Sequence, residues 1–154
     1  IVYVKNIDHT LNKEINYIDG EKEGLEKCWY GNGQLKSEDN WKDGKEDGLS
    51  KIWYGNGQLK SEKKYLNGEL DGLSKSWNED GQLSLQINYK DDKMEGLFKW
   101  WYENGQLALQ INFENGEWVV SSEKCWDEIG NEMDCNKQIL LSVLIMDGWF
   151  KKIE

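Results

Sequence analysis

Apolar and polar residues alternate in short runs along most of the chain, and each run ends at glycine, asparagine or aspartate. Leu25, Lys27 and Trp29 share one phase, and Leu35, Ser37, Asp39 and Trp41 are expected to continue it beyond an intervening turn. A period of two denotes a strand. The turn Gly31-Asn32-Gly33-Gln34 and its copy Gly55-Asn56-Gly57-Gln58, with Asp43-Gly44 and Asn67-Gly68 at the opposite end, supply residues that tolerate positive φ. Each pair of runs therefore predicts a β-hairpin. The chain has no proline, which suits a ladder in which nearly every backbone N–H needs an acceptor.

The pattern recurs every 24 residues. Gly24, Gly48, Gly72 and Gly96 fall on it, as do Leu25, Leu49, Leu73 and Leu97, then Lys27, Lys51, Lys75 and Lys99, then Trp29, Trp53, Trp77 and Trp101. Gly33-Gln34-Leu35 returns three times, and an aromatic follows each Leu at the same interval: Trp41, Tyr65, Tyr89 and Phe113. Clear repeats are placed at 25–48, 49–72, 73–96 and 97–120, with degenerate ones at 1–24 and 121–135 and a C-terminal cap at 136–154. Terminal repeats of an array are expected to be atypical.

An isolated hairpin is marginal in water, so these units must stack. The expected fold is all-β: an elongated, twisted antiparallel sheet of stacked 24-residue hairpins, with a buried stripe of Leu and Trp. The lysine column shares that phase, either as stems lying along Trp faces with ammonium groups in water or as cations lining a groove. In the tail, the apolar run 139–146, Asp147-Gly148 and Trp149-Phe150 suit a strand-type cap better than a helix.

Charge narrows the partners. Asp and Glu total 29 against 19 basic residues, all of them lysine, for a net charge of -10. A chain this acidic and without arginine is a poor ligand for nucleic acid and is repelled by anionic lipid. No run reaches the roughly 20 apolar residues of a membrane-spanning helix. Nine tryptophans concentrate the apolar content in large side chains and argue against disorder. The start at Ile1, without methionine, is expected from a removed signal peptide or a trimmed chain.

Residues 47–62, Asp47-Gly48-Leu49-Ser50-Lys51-Ile52-Trp53-Tyr54-Gly55-Asn56-Gly57-Gln58-Leu59-Lys60-Ser61-Glu62, resemble the MORN-repeat variant, and the resemblance covers roughly residues 19 to 135. It implies elongated hairpin arrays that contact protein or lipid, with no single chemistry. It also carries a similarity to antitoxin-labelled bacterial proteins of the YwqK type, and an extracytoplasmic setting is favoured over a cytoplasmic one because such proteins are often secreted or surface-bound.

Candidate chemistry is sparse. The lone histidine, His9, falls on a turn column and has no nucleophile motif beside it, so no catalytic residue is assigned. Cys28, Cys125 and Cys135 lack zinc-site spacing, and the turn carboxylates Glu23, Asp47, Asp71 and Glu95 do not follow a calcium-loop pattern. No metal or cofactor is expected. Cys125 and Cys135 can face each other across the last hairpin, as a disulfide in an oxidising compartment or as two thiols in a reducing one. Tyr30, Tyr54, Phe98, Trp100 and Tyr102 fall out of phase with the Leu/Trp stripe and are expected to project from the opposite face as a protein-binding patch. The expected function is non-enzymatic protein–protein interaction through an elongated aromatic and acidic surface, with toxin neutralisation as the alternative. Edge strands also allow pairing into a homodimer.

Overall fold

In the computed structural model, which describes residues 2–5 and 11–135, every described element is a strand. The N-terminal strands are β1 (Val2–Lys5), β2 (Leu11–Ile15), β3 (Tyr17–Ile18) and β4 (Glu21–Lys22). The first two hairpins use β5 (Gly24–Trp29), β6 (Leu35–Lys42), β7 (Lys45–Trp53) and β8 (Leu59–Leu66). Then come β9 (Glu69–Leu70), β10 (Gly72–Trp77), β11 (Leu83–Lys90), β12 (Lys93–Met94), β13 (Gly96–Trp101) and β14 (Leu107–Glu114). The described chain closes with β15 (Glu117–Trp118), β16 (Lys124–Trp126) and β17 (Glu132–Met133).

Hairpins β5–β6, β7–β8, β10–β11 and β13–β14 pair in chain order into one open antiparallel sheet of 15 strands. Strands β9, β12 and β15 are short extensions on it, and β3–β4 forms a separate ribbon. His9 and the tail 136–154 lie outside the described residues.

Successive repeats meet through two-residue turns. Asp43-Gly44, Asn67-Gly68 and Asn115-Gly116 have positive φ at both residues, the backbone that matches the twist of flanking strands. Asp91-Asp92 adopts the same form without glycine, at φ 49° and 61°. At the other end, within each hairpin, only the glycine of Asn32-Gly33 turns left-handed, at φ 83°. Asn32 acts there through its side chain, whose Oδ1 accepts from the Gln34 N–H. The glycine column pairs with the aromatic column: Gly24 with Trp41, Gly48 with Tyr65, Gly72 with Tyr89 and Gly96 with Phe113. Gly48 has φ 113°, and a Cβ there would lie 3.1 Å from that of Asn40.

The expected common phase across the turn does not hold. Each hairpin slips register one residue before its tryptophan: Cys28 opposes Ser37, Trp29 opposes Leu35, and Lys36 is unopposed. Lys60, Ser84 and Ala108 occupy the same bulge in later repeats. One extra residue exchanges the faces of everything beyond it. Leu25, Lys27, Trp29, Leu35 and Glu38 therefore share an outer face, while Glu26, Cys28, Ser37, Asp39 and Trp41 share an inner one.

The core lies on the inner face, so the Leu/Trp stripe is not the buried one. Ile87, Tyr89, Phe98, Leu109, Ile111, Phe113 and Cys125 form one cluster, with Leu70, Leu85, Met94, Trp100 and Trp118 packed against it. All but Leu70 belong to the later repeats. In the earlier ones the same columns hold Glu26, Ser37, Asp39, Ser50, Ser61 and Lys63. The inner face thus changes from polar to apolar along the array.

Candidate interaction surface

The loop edge of the sheet is built by hydrogen bonds between successive repeats. The Tyr30 hydroxyl donates to the Trp53 carbonyl at 2.6 Å, Tyr54 to Trp77 at 2.8 Å and Tyr102 to Trp126 at 2.9 Å. Asn32, Asn56 and Asn104 each donate from Nδ2 to a carbonyl of the following loop, at Gly55, Glu79 and Glu128. Burial, and then nearby carboxylates, hold the Tyr54 and Tyr102 phenols above the ordinary value, so both remain protonated donors. Lys36 lies over the Tyr30 ring and Lys60 over the Tyr54 ring, with Nζ 5.8 and 5.3 Å from the centroids.

The third repeat departs from this pattern, because Asn78 stands where the others have tyrosine and Ser84 where two of them have lysine. There a cavity of about 480 Å³ opens, lined by Asn78, Ser84, Trp100, Trp101, Tyr102, Glu103, Asn104 and Glu128.

At the opposite edge the acidic turn residues hold the array together. The Asp43 N–H donates to Glu23 Oε2, Asn67 to Asp47 Oδ2 and Asn115 to Glu95 Oε2, at 2.8–3.1 Å. Asp71 pairs with Lys90, 2.7 Å away, and also accepts from the Asp91 backbone. Among the described residues no cluster of His, Cys, Asp or Glu is arranged to hold a metal.

The polar half of the inner face is a charge network. Glu26 is 6% exposed, and its two oxygens accept from Lys13 at 2.6 Å and Lys22 at 2.7 Å. Burial pushes its carboxyl up, but the two ammonium bonds outweigh that and leave it below the ordinary value. Lys22 also lies 3.7 Å from the Trp41 ring centroid. The Ser50 hydroxyl donates to Asp39 at 2.6 Å. Glu46 has the opposite balance: burial and then the Asp39 charge hold its carboxyl above the ordinary value.

The outer face is the regular one. Leu49, Leu73 and Leu97 are 41%, 39% and 42% exposed, and half-buried Trp53, Trp77 and Trp101 follow four residues after each. Lysines run between them. Lys27 pairs with Glu38 at 3.4 Å and Lys51 with Glu62 at 3.3 Å. Gln86 and Gln110 replace the carboxylates further on, so Lys99 is flanked by amides on both neighbouring strands.

Four segments of the chain, 22–43, 46–67, 70–91 and 94–115, match the family described as the MORN repeat variant. Together they span more than half of the residues. The chain belongs to the MORN repeat variant family. No curated protein matches it, and the likeness to antitoxins gains no support. The matched segments begin 24 residues apart, the interval of the hairpins.

In this MORN array the five aromatics singled out from the sequence do not form one exposed patch. Phe98 is 5% exposed and belongs to the core, because it lies opposite Ile111 on the inner face. Trp100 packs against that core and meets Tyr102 edge-on at 5.3 Å. Tyr30 and Tyr54 bind the loop edge. Cys125 and Cys135 are joined by a disulfide across the last hairpin, and Cys28 is free. No helix among the described residues is long and apolar enough to cross a membrane. The leucine ladder was visible as a column in the sequence, but its exposure was hidden by the bulge.

Proposed function

We propose that this MORN array is a non-enzymatic module that docks another protein on the outer face of its sheet. The observation that carries this is the ladder of exposed Leu49, Leu73 and Leu97, spaced one repeat apart beside half-buried tryptophans. Aliphatic and aromatic side chains in a contiguous row are what partner proteins bury. The lysines between them set the complement. Lys75 lies between Glu62 and Gln86, whereas Lys99 lies between Gln86 and Gln110, so the Lys99 end of the face favours a partner that brings apolar side chains flanked by carboxylates.

The acidic residues contribute less to this surface than the net charge suggests, because several of them hold turns of the array. The test is capture from the native cell extract by the wild type and by the variant Leu49→Glu/Leu73→Glu/Leu97→Glu. Three charges on an exposed face leave the circular dichroism spectrum and melting temperature close to wild type. A protein retained by wild type is expected to be lost from the variant. Equal retention by both removes the outer face from the function.

A further inference from the structure

We propose that the cavity at the third repeat is a binding site for a neutral p-hydroxyphenyl group, such as the side chain of a partner's tyrosine. The array itself shows what the cavity accommodates. At three junctions a tyrosine hydroxyl donates to the carbonyl of the tryptophan one repeat on, at Trp53, Trp77 and Trp126. The equivalent acceptor at the fourth junction is the Trp101 carbonyl, and the residue that would reach it is Asn78, whose side chain is too short. Trp101 and Asn78 both line the cavity.

A second substitution opens the same space. The rings of Tyr30 and Tyr54 lie under the bulge lysines Lys36 and Lys60, whereas the third repeat carries Ser84 at that bulge, and Ser84 is a lining residue. Both the ring and its cover are therefore missing in one repeat. Trp100 and Tyr102, edge-on to one another, supply aromatic walls for an incoming ring. At about 480 Å³ the cavity is in the range of small-ligand sites.

The lining also sets the charge of the ligand. Glu103 and Glu128 border the cavity, and Glu79, Asp80 and Glu103 border the adjoining depression beside Tyr54. No lysine lines either space. Carboxylates on both sides repel a phenolate or an aryl phosphate and leave a neutral phenol as the species that enters.

Assigning the phenol to a partner protein rests on the docking proposal above, whereas the site itself does not. The test therefore uses small probes: p-cresol, toluene, N-acetyl-tyrosinamide and its O-phospho form, each titrated against the chain while tryptophan indole and asparagine amide NMR signals are followed. p-Cresol and N-acetyl-tyrosinamide are expected to shift Trp100, Trp101 and Asn78 together. If p-cresol binds and the tyrosine amide does not, the occupant is a free small phenol and the assignment to a tyrosyl side chain fails. Toluene is expected to bind about 2- to 10-fold more weakly, the worth of one hydrogen bond. The phosphorylated probe is expected to shift none of them. Asn78→Tyr, which restores the array's own ring, abolishes binding, and Ser84→Lys, which restores its cover, weakens it should the first variant fail to fold. The site is overturned if p-cresol leaves these signals unmoved, if toluene matches it, or if binding survives both variants.

Discussion

Glu26 and Glu46 lie on the same inner face and answer burial in opposite ways, because one has two ammonium partners and the other has a carboxylate neighbour. Folding lowers the pKa of Glu26, so its contribution is fully present above the ordinary value of 4.5 and is lost as pH falls through the folded value. Folding raises the pKa of Glu46, so its ionisation costs stability that is recovered as pH falls from neutral towards 4.5. Urea unfolding at pH 7 is expected to show Glu26→Gln destabilised by about 1–3 kcal/mol, the worth of charge-assisted bonds, and Glu46→Gln stabilised. As pH falls through the folded pKa of each group, the corresponding variant is expected to approach wild type. A Glu46→Gln chain that is less stable at pH 7 would contradict the assignment. Neither environment was legible in the sequence. Lys13 becomes a neighbour of Glu26 only through the pairing of β2 with β5, whereas Lys22 stands four residues before it in the chain.

At the scale of the hairpin, the repeat is held at both edges by bonds that skip to the next unit. Tyr54→Phe removes one of them without altering volume, and is expected to cost about 1 kcal/mol in urea unfolding. Asn78→Phe, lacking a hydroxyl to begin with, tests ring filling alone. The hairpins were legible because Asp43-Gly44 and Asn67-Gly68 have one backbone solution between alternating runs, and the structure uses it. The faces were not legible. A bulge at Lys36 adds a residue without any compositional mark, and the period of two then puts Ser37, Asp39 and Trp41 on the face of Leu25 and Trp29, the wrong one. Phe98, on the strand before its bulge, was placed outside because the Leu/Trp stripe was read as the buried one, and it lies in the core.

Across the whole molecule, the 24-residue period gave the array order, since each unit pairs with its sequence neighbours. It did not reveal the inner gradient, which comes from substitutions at fixed columns: Ser37 and Ser61 become Leu85 and Leu109, and Asp39 and Lys63 become Ile87 and Ile111. In an array whose stability is a sum of local terms, amide hydrogen exchange is expected to be slowest in β11, β13 and β14, and faster in β5 and β6. The disulfide between Cys125 and Cys135 anchors the slow end by closing the last hairpin. Uniform exchange across the hairpins would show that the polar inner network stabilises as well as the apolar cluster does. The outer face repeats while the inner one varies, which is the basis for assigning recognition to the former. Because lysines stand on both faces of the sheet, covalent lysine footprinting reads both in one experiment. In the complex with the captured partner, Lys51, Lys75 and Lys99 are expected to be protected, while Lys60 on the bulge and Lys63 on the inner face stay reactive. Protection of Lys60 and Lys63 with Lys51, Lys75 and Lys99 left reactive would contradict docking on the outer face.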